Sequence, residues 1–229
     1  MTALLTDHAH LATRSGEAIA YLPAVGPWAA VERDHPPAWE DLRRVTSRAV
    51  VERSAGFEPT GWRTVDRSEY LVMVGDRPST PTDTAGVRVL REHDLPAIAR
   101  LAADCGATMF SEGAFAMGHF RGVFDHDRLV AMAGTRGSTP TTWEVAAVAT
   151  VPDHRRRGLS AAVVSATREA AEATGRTAFL HVAPDNVTAV RLYERLGFSV
   201  HGEPVVVDEL VALAPATGPT SDGRSTIGP

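Results

Sequence analysis

The stretch that most constrains this chain runs from Trp143 to Phe198. The apolar run Val145 to Val151 reads as a strand and stops at Pro152. The loop Asp153-His154-Arg155-Arg156-Arg157-Gly158 then leads into an Ala-rich segment, Ser160 to Thr174, which predicts a helix ended by Gly175 in the C′ position. A strand-to-helix turn leaves the first N–H groups of the helix without intrahelical partners, at the positive end of its dipole. Such a turn suits a phosphate or pyrophosphate. Gly158 lets the backbone approach an anion with no Cβ in the way, and Ser160 and Ala161 are small for the same reason. The arginines add charge at the mouth. All 23 basic residues are arginine, so a single Arg points to function less strongly than usual. The place of the run between a strand and a Gly-opened helix carries the reading.

The surrounding pattern predicts an α/β chain with a mixed sheet. Val87 to Leu90 is a short strand, and Glu92 to Asp104 a helix with Leu95, Ile98, Leu101 and Ala102 on one face. Met109 to Met117 is a further helical turn or loop. Phe120 to Phe124 and Leu129 to Ala133 flank Asp125-His126-Asp127 as a hairpin. Ala178 to Val182 is a buried strand, and Val187 to Leu196 a helix ended by Gly197. Phe198 to Val207 and Glu209 to Leu213 close the sheet as two strands. Strands pair first as a meander and then alternate with helices, which predicts both parallel and antiparallel neighbours.

Before this half, Glu17 to Val31 holds strands interrupted by Pro23 and Pro27. Trp39 to Val51 has near-helical apolar spacing, and Tyr70 to Val74 is a buried strand. The polar, Pro-rich stretch Asp76 to Thr84 reads as a linker. The expected organisation is an N-terminal α/β unit with linker over 1–85, a second domain over 86–212 and a disordered tail over 213–229.

Competing anion loops are excluded by their own requirements. A Walker loop needs Gly-Lys-Ser/Thr, and the chain has no lysine; no Gly-x-Gly-x-x-Gly follows a strand. What remains, Arg155-x-x-Gly158-x-Ser160, resembles the Gln/Arg-x-x-Gly-x-Gly/Ala signature of the GNAT superfamily of N-acyltransferases, with Ser160 departing at the last small position. Downstream, Asn186, Ala189 and Leu192-Tyr193-Glu194-Arg195-Leu196-Gly197-Phe198 resemble the family's second motif, Asn-x-x-Ala-x-x-Leu-Tyr-x-x-x-Gly-Phe. The resemblance covers about residues 86 to 212. The extra N-terminal unit is similar to the arrangement of the glycine N-acyltransferase-like branch.

The resemblance implies a GNAT-type fold in which two parallel strands, here Glu144 to Thr150 and Ala178 to Val182, splay apart around acetyl-CoA. Backbone groups of Val148, Ala149 and Thr150 would pair with the pantetheine amides as an added strand would. Arg155, Arg156, Arg157, Gly158, Leu159, Ser160, Ala161, Asn186 and Tyr193 would complete the cofactor site. The implied reaction is direct transfer of an acetyl group to a primary amine. The backbone N–H of Val148 would serve the oxyanion and Tyr193 would be the general acid. Glu144, fourteen residues before Gly158, is at the spacing of a general base in the histone-acetyltransferase branch, with Trp143 beside it to shield the carboxylate and raise its pKa. The amine would enter over Met109 to His119, where Phe110, Glu112, Phe115 and Met117 offer a carboxylate and an apolar wall. The family's habit implies a homodimer.

Composition limits the alternatives. A net charge of −5 and the absence of a second basic cluster disfavour nucleic acid as a partner. The single cysteine, Cys105, allows no internal disulfide and fits a reducing cytoplasm, where it reads as an inert core thiol. No apolar run approaches the roughly 20 residues that span a bilayer. The nine histidines show no compact ligand spacing, so no metal is expected. His181 lies on a strand beside the cofactor wedge and is a candidate for a substrate contact or a supporting role. A non-catalytic acyl-CoA-binding module is the rival reading, and the presence of both Glu144 and Tyr193 argues against it.

Overall fold

Short apolar runs broken by Gly and Pro build the first elements. Strands β1 (Ala12–Ser15), β2 (Ala18–Tyr21) and β3 (Ala29–Val31) form a three-stranded antiparallel sheet. Pro36 and Pro37 open helix α1 (Pro36–Val45), where the missing N–H costs nothing. The helix buries Ala38, Trp39 and Leu42. It stops short of the expected Val51, because Thr46 is extended and Val50 and Val51 belong to β4 (Arg48–Arg53). There β4 pairs antiparallel with a strand more than 150 residues away, so long-range pairing overrides the near-helical spacing. The computed structural model describes residues 8–53, 59–106 and 111–214.

The longest strand, β5 (Trp62–Val74), precedes the Pro-rich stretch, and β6 (Arg88–Val89) follows it. A 3-10 turn (Glu92–Asp94), capped by the Asp94 carboxylate on the Arg91 N–H, leads into α2 (Leu95–Asp104). A second 3-10 segment (Glu112–Met117) precedes β7 (Arg121–Asp125), β8 (Arg128–Ser138) and β9 (Thr142–Thr150). Then come α3 (Leu159–Ala173), β10 (Thr177–Val182), α4 (Val187–Arg195), β11 (Ser199–Val200) and β12 (Val205–Ala212). The main sheet has the order β4-β12-β5-β10-β9-β8-β7-β6, with β11 also on β5. Strands from both sides of the Pro-rich stretch therefore share one sheet, since β5 lies between β12 and β10. The expected break between two closing strands at Asp208 is absent, and β12 runs through it. Asp208 is buried, but its carboxylate accepts from Arg53 and Arg67 on the two flanking strands, so the charge does not interrupt the pairing.

Helices cover both faces. Alternate residues of β8 divide between them: Val130 and Met132 pack with Ile98 and Leu101 of α2, whereas Ala131 and Ala133 pack with Val163 of α3. Near the centre, Trp143, Val145, Leu180 and Phe198 form the core under α3 and α4. The parallel pair β9 and β10 is in register only for Thr142–Thr177, Trp143–Ala178 and Glu144–Phe179. Beyond that point the two strands part, which leaves the sheet open at its middle. Of the expected tail over 213–229, Leu213 still donates its N–H to the Gly61 carbonyl at 2.8 Å, and residues 215–229 lie outside the described part of the chain.

Candidate active site at the parting of the central strands

A cavity of about 840 Å³ occupies the opening on the helix side. Val148, Ala149 and Thr150 of β9 form one wall, and Leu159, Ser160 and Ala161 in the first turn of α3 form its head. Asn186, Ala189 and Tyr193 of α4 close the far side. Gly158 is the N-cap of α3 with φ +80°, and a Cβ there would meet no atom within 4 Å. Its glycine is required by the left-handed backbone rather than by a crowded neighbour. The turn is tied to the strand by a Thr150 Oγ1–Ser160 Oγ contact of 2.8 Å and by Arg155, which donates from Nε to the Thr150 carbonyl at 3.2 Å. Arg155 thus spends one donor on the loop itself, while Arg156 lines the cavity and Arg157 is exposed outside its lining. Asn186 caps α4, its Oδ1 accepting from the Ala189 N–H at 3.2 Å. A long ligand with an anionic end matches this arrangement of strand edge and helix N-terminus.

Tyr193 is buried in the far wall, and burial pushes its phenol up to about 12. It stays protonated across the neutral range and can act only as a donor to an anion there.

Two irregularities in β9 and its partner β8 shape the opposite side. Between Met132–Ala149 and Gly134–Ala146 the β9 strand carries one extra residue, and Ala147 has φ +52°. Between Thr135–Val145 and Ser138–Trp143 the extra residue is on β8, at Arg136-Gly137. These are β-bulges, which re-aim side chains and backbone groups, and the left-handed alanine costs of order 1–2 kcal/mol. The first bulge twists β9 at the residues that face the 840 Å³ cavity. The second places Arg136 against Glu144, and Gly137 makes room: a Cβ there would lie 2.9 Å from Glu144 Oε2.

Glu144 lines a second cavity, of about 390 Å³, on the other face of the sheet. Tyr21 and Trp28 of the N-terminal unit, Glu52 of β4, Tyr70 of β5, Arg136 and His181 surround it. The Glu144 side chain is 8% exposed and is held by the Arg136 guanidinium through Nε (3.1 Å) and a terminal nitrogen, and by His181 Nδ1 at 2.9 Å. Burial pushes the carboxyl up, but the Arg136 charge and the hydrogen bonds from His181 and Arg136 outweigh it and hold it well below the usual carboxylate range. The expected upward shift from Trp143 does not occur. Successive strand residues point to opposite faces, and Trp143 packs into the α3–α4 core while its ring stacks on His119 at 4.3 Å.

The remaining expected contacts lie elsewhere. Glu112 is exposed, and neither it nor Phe115 lines the two cavities described. Phe115 stacks on Phe120 at 5.2 Å against the α2 core. Phe110 lies outside the described residues. Met117 packs with Ile19, Tyr21 and Val25, so this segment seats the N-terminal unit. Cys105 lines the larger cavity, and burial raises its thiol. Sequence reasoning missed Arg136, Glu52 and the aromatic walls from the N-terminal unit. Only Arg136 left a local signal: it sits across a hairpin from Glu144, eight residues earlier. Among the described residues no group of three or more His, Cys, Asp or Glu is placed to hold a metal ion, and no helix is long and apolar enough to cross a membrane.

Comparison with known proteins points one way. Residues 121–207 match the family model described as FR47-like protein. A crystal structure of an acetyltransferase described as from the GNAT family, from Novosphingobium aromaticivorans, superposes with a TM-score of 0.83 at 30% identity, covering 93% of this chain and 96% of that one. A GCN5-related N-acetyltransferase from Kribbella flavida (TM-score 0.59, 21% identity, 94% and 96% covered) shares the fold. So does a GCN5-related N-acetyltransferase-like protein from Streptococcus suis (TM-score 0.54, 14% identity, 93% of each chain).

Proposed function

The chain belongs to the GNAT family of acetyltransferases, and from that premise we propose that it transfers an acetyl group from acetyl-CoA to a primary amine by direct attack. The observation that carries the proposal is the parting of β9 and β10 beyond Glu144 and Phe179, beside the N-terminus of α3. A cofactor that is an extended amide chain at one end and a diphosphate at the other fits a strand edge that runs into a helix N-terminus. Val148, Ala149 and Thr150 would hold the pantetheine amides. The N–H groups of Gly158, Leu159, Ser160 and Ala161 would hold the pyrophosphate, with Arg156 and Arg157 beside the nucleotide and Arg155 bracing the loop. Asn186 keeps α4, and with it Tyr193, in place.

Bound acetyl-CoA supplies an activated acyl group as a thioester. The chain's own residues do the rest. The N–H of Val148, next to the bulged Ala147, is the donor placed for the carbonyl oxygen. Tyr193 Oη, protonated at neutral pH as any phenol is and held so more firmly by burial, donates to the departing sulfur. Glu144 stands across the strand on the acceptor side, beside His181, where the amine's proton leaves. The acceptor cavity is the 390 Å³ space around Arg136, Glu144 and His181, and the reading does not use Glu112 or Phe115. A small or peptidyl amine suits a cavity of that size. The finer placement in the glycine N-acyltransferase-like branch rests on the N-terminal unit that walls this cavity.

Isothermal calorimetry with CoA and acetyl-CoA, followed by a thiol-release assay over a panel of amines, tests the reading. Expected are saturable binding and amine-dependent release of CoA. Failure to bind either form of CoA sinks the proposal; binding without thiol release on any amine favours a non-catalytic module.

A further inference from the structure

Resting on the acceptor-side reading above, we infer that Nε2 of His181 takes the proton from the incoming amine and that Glu144 is the positioning residue that makes it able to do so. His181 is on β10, two residues past its last pairing with β9, so it flanks the opening on the face away from α3 and α4. Its Nδ1 lies 2.9 Å from Glu144 Oε1. An ionised carboxylate only accepts, so Nδ1 carries the hydrogen and a neutral ring keeps its lone pair on Nε2. Arg136 keeps that carboxylate ionised. The Nε2 atom is 3.8 Å from Glu52 Oε2, outside hydrogen-bond reach, so the lone pair is not spent on that neighbour. Tyr70 and Phe179 meet the ring edge-on at 6.5 and 5.7 Å and hold its plane.

Glu144 is poorly suited to take the proton itself. Its side chain is almost fully buried, and both its oxygens already accept from Arg136 or His181. The charged and titratable groups facing His181 and its partner are Glu144 on β9, Arg136 on β8, Glu52 on β4, Tyr70 on β5 and Tyr21 on β2. Of these, Glu52 has a side chain more than half exposed. It stands where a proton leaves for water.

The protons and electrons balance as follows. An ammonium acceptor gives one proton to His181 Nε2, which releases it to water beside Glu52. The freed nitrogen lone pair forms the C–N bond, and the electron pair of the C–S bond leaves on sulfur. Sulfur takes its proton from Tyr193 Oη, and the second proton lost by nitrogen restores that phenol. The net change is ammonium plus thioester to amide, thiol and one proton.

The test has two arms. In kinetics, His181→Gln lowers kcat by about a hundredfold or more and abolishes the acidic limb of the kcat/KM–pH profile, while calorimetric affinity for CoA is unchanged. Glu144→Gln lowers kcat and lets the neutral His181 ring populate both tautomers in its 15N spectrum, because an amide can donate to Nδ1 as well as accept from it. In the unmutated protein, 15N NMR of the neutral His181 ring shows the hydrogen on Nδ1 and a bare Nε2. This arm stands even if a variant fails to fold. An unchanged kcat or acidic limb in His181→Gln, or a neutral ring protonated on Nε2, overturns the inference. Loss of CoA binding by the unmutated chain would instead strike the wider reading of the fold.

Discussion

Replacing Arg136 by Met tests the electrostatics of the 390 Å³ cavity in a way that a loss of activity alone does not. Arg136→Met leaves a similar volume but strips Glu144 of its counter-charge. Breaking a buried ion pair by removing one partner costs about 3–5 kcal/mol. The Arg136 side chain is 32% exposed and Glu144 only 8%, which places the cost at the lower end, about 3 kcal/mol. In a chain of this length each kcal/mol moves Tm by about 2–4 °C, so Tm should fall by about 6–12 °C near neutral pH. The pH dependence carries the sharper content. In the unmutated protein the Glu144 carboxyl is held below its unfolded value of 4.5. Its contribution is therefore fully present above that pH and is lost only as pH falls through the folded value. In the variant, burial acts with the His181 hydrogen bond as its only opponent, so the folded pKa rises. Thermal unfolding followed by circular dichroism from pH 2 to pH 8 should show a stability gap that is smallest at the acid end and widens toward neutrality. A gap that stays constant across that range would refute the reasoning, since it would mean the lost stability is packing and not charge.

Other outcomes follow from the same geometry. Gly158→Ala should cost of order 1–2 kcal/mol from the left-handed backbone alone, with no steric term because its Cβ meets nothing, and chemical denaturation measures it. Tyr193→Phe should lower kcat by about a hundredfold or more and leave the calorimetric Kd for CoA unchanged, because the phenol donates to a sulfur that becomes an anion only as the bond breaks. Hydrogen bonds to Asp125, and then to Asp153, raise the pKa of His154, which anchors the loop before α3. Its contribution to stability is fully present below the unfolded value of 6.5 and disappears as pH rises through the folded value. His154→Gln should flatten that slope in Tm measurements. Asp208→Ala leaves buried Arg53 without its closest carboxylate and should cost about 3–5 kcal/mol in urea titrations.

Much of the wall of the 840 Å³ cavity was legible along the chain. The strand before Pro152, the Gly-opened helix α3, the strand β10 and the Asn-capped α4 are each specified within a few residues, by periodicity, capping and turn chemistry. A strand-to-helix turn is a local object, so residues 150 to 161 sufficed to point to it. The tertiary structure decided the smaller cavity. The pairing of β5 between β12 and β10 and the seating of Tyr21 and Trp28 against Arg136 join residues more than a hundred positions apart, and the two opposed bulges in β8 and β9 are set by how those neighbouring strands register. An alternating apolar pattern says that a strand has a buried face but not which strand it meets. Glu144 was visible as a carboxylate at a suggestive spacing. Whether burial would raise its pKa or a neighbour would lower it depended on which charge stood opposite, and only the register of the folded sheet brings Arg136 and His181 to it.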